Sequence, residues 1–423
     1  MATPRGDLRP AAVDLRPVVV GCALVLAGLL RLVLLDYQSW DYQRYLEPWA
    51  GFIDGHGGFA ALKHSFSNYN ATYLYLMAFA SYLPLSPLAT VKFVSLVFEV
   101  MLGWYVYRLV GLCRLNQWPP IAAGLTAVLL PTVILNGSMW GQADASYAAL
   151  TVGALYYLIA RRPWVACVLF GLALALKLQA IFLFPALLLF VLRRWLPWQA
   201  LTAIPLVYLL LDVPALLLGA SPRRLLLIYL EQADTDHALS INAPTIYNFL
   251  SAAPGTTAKL AGVLATGVIL LGAIAYLAAR RIEPTPTRIV LISALCTLLV
   301  PFLLPSMHER YFYLAEVLTV VAAFALPRPP LIAVPVLVQA ASLTCYLNYL
   351  LKPYRLAEQT GKPVAPKYRP GLDTAHYLMH WPRVGLAALS TVVAVALLLM
   401  LYAVIRQLGV TRMPEDVHLV QAG

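Results

Sequence analysis

Long apolar runs are the feature that most restricts what this chain can fold into. The first extends from Val18 to Leu35, and as a helix it is long enough to cross the roughly 30 Å hydrocarbon core of a bilayer. Charged side chains are 12% of the 423 residues, whereas soluble domains carry about 25%. Because unpaired backbone groups are excluded from lipid, such runs predict an all-α polytopic membrane protein.

About twelve transmembrane helices are predicted from these runs. They cover residues 18–35, 87–110, 119–136, 144–160, 163–177, 179–195, 199–219, 257–279, 288–305, 310–327, 330–350 and 384–407. The stretch 36–86 differs, since Trp, Tyr, His and Asn recur in it every few positions. Aromatic amphipathic segments favour the membrane interface. We therefore predict two interfacial helices there, at about 41–54 and 71–83.

Arginine pairs between the apolar runs predict the orientation, since cytoplasmic loops carry an excess of Lys and Arg. With both termini in the cytoplasm, every pair except Arg223–Arg224 falls on the cytoplasmic side. The arginines inside are Arg108 and Arg114, Arg161 and Arg162, Arg193 and Arg194, Arg280, Arg281 and Arg288, Arg328, and Arg406 and Arg412. Counting 71–83 as a full span would place most of them outside. The stretch 36–86 is therefore predicted to be one external loop.

The chain is predicted to form a single integral-membrane domain over residues 1–423. Its parts are a core over 1–327 with external loops 36–86 and 220–256, and C-terminal helices over 328–423 with external loop 351–383. Three arginines precede the first run and no small-residue cleavage site follows it. This pattern predicts a retained anchor and not a removed signal peptide.

Several classes of protein are excluded by composition. The net charge of +11 is spread as arginine pairs between the runs, whereas a nucleic-acid-binding protein concentrates its charge in one patch. The five cysteines all lie inside apolar runs, which suits neither a disulfide framework nor a zinc site. No Gly-rich phosphate loop is present, so a soluble nucleotide donor is not expected.

The first external loop carries the residue best placed for chemistry. Asp41 lies between Trp40 and Tyr42, a few residues beyond the first run. A carboxylate tethered there can take a proton from a hydroxyl group at the lipid surface. Asp36 and Glu47 are alternative bases. The plainer alternative is that these carboxylates are only the polar end of a helix.

Two further polar clusters fall on the same predicted side. In the segment Trp140-Gly141-Gln142-Ala143-Asp144, Asp144 either caps the next helix or lines a site. Trp140 and Gln142 beside it suggest a site for a sugar or a lipid headgroup. In the hairpin Leu176-Lys177-Leu178-Gln179, Lys177 either binds an anion or snorkels to the surface.

A third cluster, His308-Glu309-Arg310, opens a predicted span. A helix N-terminus favours anions, and Arg suits phosphate oxygens; the alternative is a simple helix cap. Asn242 lies in an extended segment that closes the second large external loop. Three carboxylates inside predicted spans are interpreted as interhelical hydrogen-bond partners, and they are Glu99, Asp212 and Glu316.

These motifs, in this order and on one side, resemble the GT-C superfamily of integral-membrane glycosyltransferases. The motifs are Trp40-Asp41-Tyr42, Trp-Gly-Gln-x-Asp at 140–144, Leu-Lys-Leu-Gln at 176–179, Asn-Ala-Pro at 242–244 and Met-His-Glu-Arg-Tyr at 307–311. The closest likeness is to prokaryotic proteins similar to the GPI mannosyltransferase II (PIG-V) family. The dolichyl-phosphate-glucose-dependent glucosyltransferases, with a His-Glu-Lys pattern, are more distant. The likeness covers residues 1 to about 325.

The resemblance implies a GT-C fold and an inverting transfer of a hexose, with mannose favoured, from a polyprenyl-phosphate donor. The acceptor is a lipid-linked or protein-linked hydroxyl on the non-cytoplasmic face. The resemblance also implies Asp41 as catalytic base, with Arg310, His308 and Lys177 binding the donor phosphate. The other residues predicted to bind substrate are Tyr42, Arg44, Trp140, Gln142, Asp144, Gln179, Asn242 and Glu309. The first loop has no Asp-x-Asp pair, so no metal or other cofactor is expected.

Two other functions stay open at this point. A flippase or transporter of lipid-linked glycans would place polar groups through the bilayer midplane and show inverted repeats, whereas here polar groups gather at one face. A polymerase or ligase of lipid-linked oligosaccharides would share the external loops and differ in its donor. The expected partners are a polyprenyl-phosphate sugar, a glycolipid or glycan acceptor and membrane lipids. Ala/Leu/Arg-rich usage favours a bacterial plasma membrane.

Overall fold

The computed structural model describes residues 15–234, 238–250, 255–280, 282–353 and 384–409, and within them the fold is almost entirely helical. The α-helices are α1 (Arg16–Val33), α2 (Glu47–Gly55), α3 (Ala71–Ala80), α4 (Pro87–Gly111), α5 (Trp118–Leu129), α6 (Pro131–Ile134), α7 (Asp144–Ile159), α8 (Pro163–Leu176), α9 (Phe184–Leu192), α10 (Ala203–Leu217), α11 (Pro222–Asp234), α12 (Thr256–Ala279), α13 (Pro286–Leu303), α14 (Tyr313–Ala325), α15 (Pro329–Leu350) and α16 (Leu386–Leu408). Two short strands, β1 (Ser240–Ile241) and β2 (Met307–His308), complete the fold.

Within the described part of the chain, seven helical segments are long and apolar enough to cross a membrane. They are α1, α4, α12, α13, α15, α16 and Trp198–Leu217, which includes α10. An eighth results if α5 and the helical stretch Pro131–Trp140, bent by 45°, count as one span. The bend follows from Leu130, whose ψ of 129° is extended, because the residue before a proline is kept out of the helical region. The prediction of an all-α polytopic membrane protein is confirmed.

The predicted count of about twelve spans is not confirmed. Helices form in each of the twelve segments, but α7, α8, α9 and α14 have only 16, 14, 9 and 13 residues. A helix needs about 20 apolar residues to cross a bilayer. Short helices are tolerated at membrane depth where protein surrounds them, and α7 and α14 are buried along nearly their whole length.

The first external loop contains helices where two were predicted. A π-helical turn, Tyr42–Leu46, leads into α2, and together they cover most of the predicted 41–54. Helix α3 covers most of the predicted 71–83. It packs between α4, α8 and α10, so that Tyr73 and Met77 are buried. The loop is thus a packed part of the protein and covers one end of the helical bundle.

The two strands join the second external loop to the stretch that opens α14. They pair in parallel, with Ser240 opposite Met307 and Ile241 opposite His308. The loop segment predicted to be extended therefore lies directly beside the predicted His-Glu-Arg cluster.

The C-terminal helices pack on the core, α15 against α14 and α16 against α13. The predicted single domain and its division at residue 327 stay predictions. The predicted external loop 351–383 lies outside the described residues from position 354 onward.

The polar clusters meet at one end of the helical bundle. Helices α1, α8 and α15 end there, and α7 begins there, so Asp41, Lys177 and Asp144 come close together. At the far ends of α7 and α9, the turns contain Arg161 and Arg194 in left-handed conformation (φ 60° and 56°). These two arginine turns lie at the opposite ends of their helices from the polar clusters, and the orientation of the protein in the membrane stays a prediction.

Candidate active site

A polar cavity of about 350 Å³ lies at this end of the bundle. It is roofed by the first external loop and floored by the ends of α8 and α15 and by β2. The predicted site residues that line it are Asp41, Gln142, Lys177, Gln179, His308 and Arg310.

Asp41 is the most heavily hydrogen-bonded group in this cavity. Its Oδ2 accepts from Trp140 Nε1 and Gln142 Nε2, both at 2.8 Å, and from an Arg310 guanidinium nitrogen at 3.3 Å. Its Oδ1 accepts from the Tyr349 hydroxyl at 2.6 Å. A carboxylate has about four lone-pair sites, so Oδ1 retains room for one more donor. The alternative that Asp41 is merely a polar helix end does not fit these contacts.

The segment 140–144 orients the Asp41 carboxylate through the hydrogen bonds from Trp140 and Gln142. The π-helical turn Leu135–Trp140 ends at Gly141, whose φ of 78° turns the chain so that the Gln142 amide donates to Asn136 O. Trp140 is fully buried and stacks on Tyr349, with ring centroids 4.8 Å apart. Trp140 does not line the cavity, so its position does not support the predicted contact with substrate. It orients the carboxylate of Asp41.

Lys177 and Asp144 form a buried ion pair. The ammonium of Lys177 donates to Asp144 Oδ1, and Asn136 Nδ2 donates to Asp144 Oδ2 at 2.8 Å. Lys177 is only 7% exposed, so it does not snorkel to the surface. Burial lowers the pKa of Lys177, and the charge of Asp144 opposes that shift. Asp144 makes no side-chain cap for α7 and does not line the cavity, because its carboxylate is turned to Lys177.

Arg310 and His308 form the third wall. The guanidinium of Arg310 also lies over the rings of Trp140 and Tyr311, at 5.6 and 5.8 Å from their centroids. Burial, aided by the charges of Arg310 and Lys177, lowers the pKa of His308 to about 3. His308 is therefore neutral at physiological pH.

Glu309 and Asn242 do not reach the cavity. Glu309 is 1% exposed, and burial raises its pKa to about 7. Asn242 has a positive φ of 55°, and its Nδ2 donates to Cys345 O at 2.9 Å. The side chain of Asn242 therefore ties the chain after β1 to α15. Asn242 follows β1 and Glu309 follows β2, and neither lines the cavity, so their positions do not support the predicted contacts with substrate.

Tyr42 and Arg44 also lie away from the cavity. Residues four positions apart on a helix share one face, and Asp41 and Tyr45 are such a pair, both lining the cavity. Tyr42 is buried among the core side chains, and Arg44 is exposed. The predicted role of these two residues in substrate binding has no support in their position.

The site therefore combines one carboxylate with two cations at the end of a membrane bundle. The sequence profile of glycosyltransferase family 87 matches residues 67–306, more than half of the chain. The chain belongs to glycosyltransferase family 87. The match starts after Asp41 and ends before His308, so these two residues rest on the structure and not on the profile.

A solved structure shares the fold of this family 87 protein. The crystal structure of ArnT from Cupriavidus metallidurans bound to undecaprenyl phosphate aligns with a TM-score of 0.53 and 15% identity, over 92% of this chain and 78% of ArnT. At that identity the similarity shows the fold alone. No curated protein matches the chain. The predicted GT-C superfamily membrane glycosyltransferase is confirmed.

Sequence analysis missed several residues of this family 87 site. Tyr349, at the end of α15, donates a hydrogen bond from its hydroxyl to Asp41 Oδ1. It was missed because it lies beyond 307–311, the last segment with a motif. Tyr69 lines the cavity, and its hydroxyl donates to Gln142 Oε1 at 3.3 Å. The centroid of its ring lies 5.8 Å from the Lys177 ammonium. The available signal was aromatic enrichment at the external ends of spans, which also occurs at ordinary membrane interfaces.

A bound metal would need several acidic, His or Cys side chains close together. Among the residues that the structure describes, no group of three or more such side chains is placed to hold a metal ion. That the enzyme uses no metal or cofactor stays a prediction.

Proposed function

We propose that this family 87 enzyme transfers a hexose, with mannose favoured, from a polyprenyl-phosphate sugar to a hydroxyl of a lipid-linked or protein-linked acceptor, with inversion. The observation that carries the proposal is the single cavity that joins Asp41 to Arg310, Lys177 and His308. ArnT, which shares the fold, was crystallised with undecaprenyl phosphate, which supports a polyprenyl-phosphate donor.

Asp41 is the proposed general base. The acceptor oxygen forms a bond to the anomeric carbon while the bond from that carbon to the phosphate oxygen breaks. The hydroxyl proton passes to the carboxylate, and polyprenyl phosphate leaves with the bonding electrons. Oδ1 is the oxygen proposed to accept this proton, because Tyr349 is its one donor among the described contacts, whereas Oδ2 accepts three hydrogen bonds.

Arg310 and Lys177 are proposed to stabilise the leaving phosphate, which goes from one negative charge to two. Before reaction the two cations are balanced by Asp41 and Asp144. When Asp41 takes the proton it loses its charge, so the charge of Arg310 is released at the moment the phosphate becomes more negative. Among the described residues Arg310 Nε has no hydrogen-bond partner, which leaves it a donor for the phosphate. His308, being neutral, can add a hydrogen bond.

Family membership supports glycosyl transfer over the flippase alternative. We place the active site on the outer face of a bacterial plasma membrane, with both termini cytoplasmic, in line with the arginine pattern. Labelling with a membrane-impermeant thiol reagent tests this orientation. A cysteine introduced at 306 should react from outside, and one at 161 should not; the reverse result would invert the topology.

The donor is identified by an assay of the purified protein in lipid nanodiscs. Polyprenyl-phosphate mannose, glucose and arabinose are offered singly with a bacterial lipid extract, and products are read by mass spectrometry. A hexose added to a lipid from a monophosphate donor is the expected result. Product only from a diphosphate-linked oligosaccharide would favour a polymerase or ligase. Absence of product with every monophosphate donor would contradict the proposal. A parallel arm with EDTA should retain the full rate.

A further inference from the structure

A continuous row of aromatic rings forms one wall of the cavity. Trp40, Tyr45, Trp49 and Tyr69 all line it. Successive ring centroids in this order are 5.9, 6.0 and 5.1 Å apart. We call these four residues the aromatic row. It begins with Trp40 at the cavity mouth and ends at Tyr69, beside Lys177.

The outer part of the row is open. Trp40 and Tyr45 are 45% and 40% exposed, whereas Trp49 is buried. Trp40 and Tyr45 meet edge to face, at 84°, so their contact covers a face of only one of the two rings. Large aromatic side chains left this open beside a polar cavity are typical of a binding site.

Amide side chains add hydrogen-bonding groups near the row. Asn68 and Gln232 both line the cavity, and the Gln232 amide donates to the Asn68 carbonyl, so helix α11 is tied to the first external loop. The charged residues Asp41, Lys177 and Arg310 occupy the inner part of the same cavity. The cavity thus has an ionic inner part and an aromatic, amide-bearing outer part.

We propose that the aromatic row is the subsite for a sugar ring of the acceptor. The C–H face of a pyranose carries slight positive charge and packs on the negative face of an aromatic ring, while Asn68 and Gln232 can bond to its hydroxyls. Trp40 and Asp41 line the same cavity, so a sugar ring packed on Trp40 lies in the space that the proposed base faces. The acceptor is therefore a glycan and not an unglycosylated lipid or a protein hydroxyl. This inference rests on the proposed glycosyl transfer.

Anchoring in the bilayer is the competing role for exposed aromatic residues. Two observations oppose it for this row. All four rings line the cavity, and Arg44 and Glu47, which flank Tyr45 on the same helical stretch, are both exposed. A helix face with charges of both signs is typical of contact with water.

Binding of sugars can be measured without turnover. The wild-type protein in lipid nanodiscs is mixed with methyl α-mannopyranoside, and saturation-transfer difference NMR reports which sugar protons approach the protein. Methyl glucoside, galactoside and arabinoside are tested in the same way. At least one glycoside should show ring-proton saturation, which should persist when undecaprenyl phosphate is added, because the row lies outside the proposed phosphate site.

The matched variants separate a bound sugar from a nonspecific effect. Trp40→Leu should weaken glycoside binding about tenfold, whereas Trp40→Phe should keep most of it, since the ring face is retained. Trp198→Leu is the control, because Trp198 is 63% exposed and does not line the cavity. Loss in Trp198→Leu as well would mean that the signal is nonspecific and would overturn the assignment.

The remaining outcomes also decide the question. Saturation by no glycoside, or saturation unchanged in Trp40→Leu, would overturn the subsite. Quenching of Trp40 fluorescence by brominated lipids would assign the ring to the bilayer instead. Displacement of the glycoside by undecaprenyl phosphate would place it in the donor half. If sugars bind as expected but no polyprenyl-phosphate donor is used, the proposed function fails while the subsite stands.

Discussion

Two of the groups of charged side chains that the structure buries differ in what surrounds them. The cavity cluster consists of Asp41, Lys177 and Arg310, which line the polar cavity of about 350 Å³, and of Asp144, which does not line it but forms an ion pair with Lys177. The groove cluster, Arg31, Lys92 and Glu99, lines an apolar groove of about 720 Å³ between α1, α4 and α5. The larger space is therefore not the candidate active site, because its walls offer few polar groups to a substrate.

Hydrogen bonding explains the difference between the two clusters. In the groove cluster, Arg31 donates to Glu99 at 2.7 Å and to the carbonyls of Ala27 and Val128. Lys92 donates to the carbonyls of Leu34, Leu35 and Tyr37 at 2.8, 2.6 and 2.7 Å. These groups are committed to protein partners. Glu99 is an interhelical partner, as predicted for it.

The cavity cluster keeps capacity for a ligand. Arg310 Nε lacks a partner among the described residues, and Asp41 Oδ1 has one donor. In these two clusters, the unused donor and acceptor distinguish the candidate active site from the ion pair and carbonyl contacts of the groove cluster.

The largest effect is expected from removing the base. Asp41→Asn keeps the shape of the side chain but cannot take a proton, so turnover should fall by about 10²–10⁴-fold. The variant should still fold and bind the donor, although the loss of the ion pair with Arg310 should lower its thermal stability. Turnover is measured with the polyprenyl-phosphate donor that proves active in the nanodisc assay. Near-wild-type turnover in Asp41→Asn, with loss in Asp36→Asn, would show that the base is misassigned.

The groove cluster should give a loss of stability instead. Arg31→Met leaves Glu99 buried without its partner, and breaking a buried ion pair costs about 3–5 kcal/mol of unfolding free energy. Turnover per folded molecule should stay within about tenfold of wild type. The measurement is thermal unfolding in detergent beside the assay. The double variant Arg31→Met/Glu99→Met should recover part of the stability. Equal stability of Arg31→Met and wild type would remove the contrast between the clusters.

Replacing Arg310 should act on the donor. Arg310→Met removes a charge-assisted phosphate contact. The transition-state stabilisation calculated from kcat/KM for the donor should therefore fall by about 1.5–3 kcal/mol, with both a higher KM and a lower kcat. Arg310→Lys, which keeps the charge without the planar fork, should lose less. Unchanged donor kinetics in Arg310→Met would remove this residue from the site.

The smallest effect is expected from replacing Lys92, which belongs to the groove cluster but contacts the segment that leads to Asp41. Lys92 holds the end of α1, from which the chain reaches Asp41 within a few residues. Lys92→Met should displace the base and lower kcat by about tenfold, with donor KM within about twofold. A rise in donor KM without a change in kcat would show that Lys92 acts on donor binding and not through Asp41.

The local sequence determined the class of fold and singled out Asp41 as the proposed base. In lipid, the backbone polar groups of an apolar run form their hydrogen bonds within the run only if it is a helix. The arginine pairs predicted which ends of these helices face the cytoplasm. Because Asp41 follows the first run directly, its place near the membrane surface needed no knowledge of packing. The motifs at 140–144, 176–179 and 307–311 were expected on one side, and residues of each meet around the cavity.

Tertiary structure decided what each of those residues does. Asp144 holds Lys177 from 33 positions away, Trp140 supports the base instead of lining the cavity, and Tyr349 reaches Asp41 across 308 positions. A periodic pattern reports only which face of a helix is apolar. Which two polar side chains share a hydrogen bond depends on where separate helices end against each other, and that is set by the packing of the whole bundle.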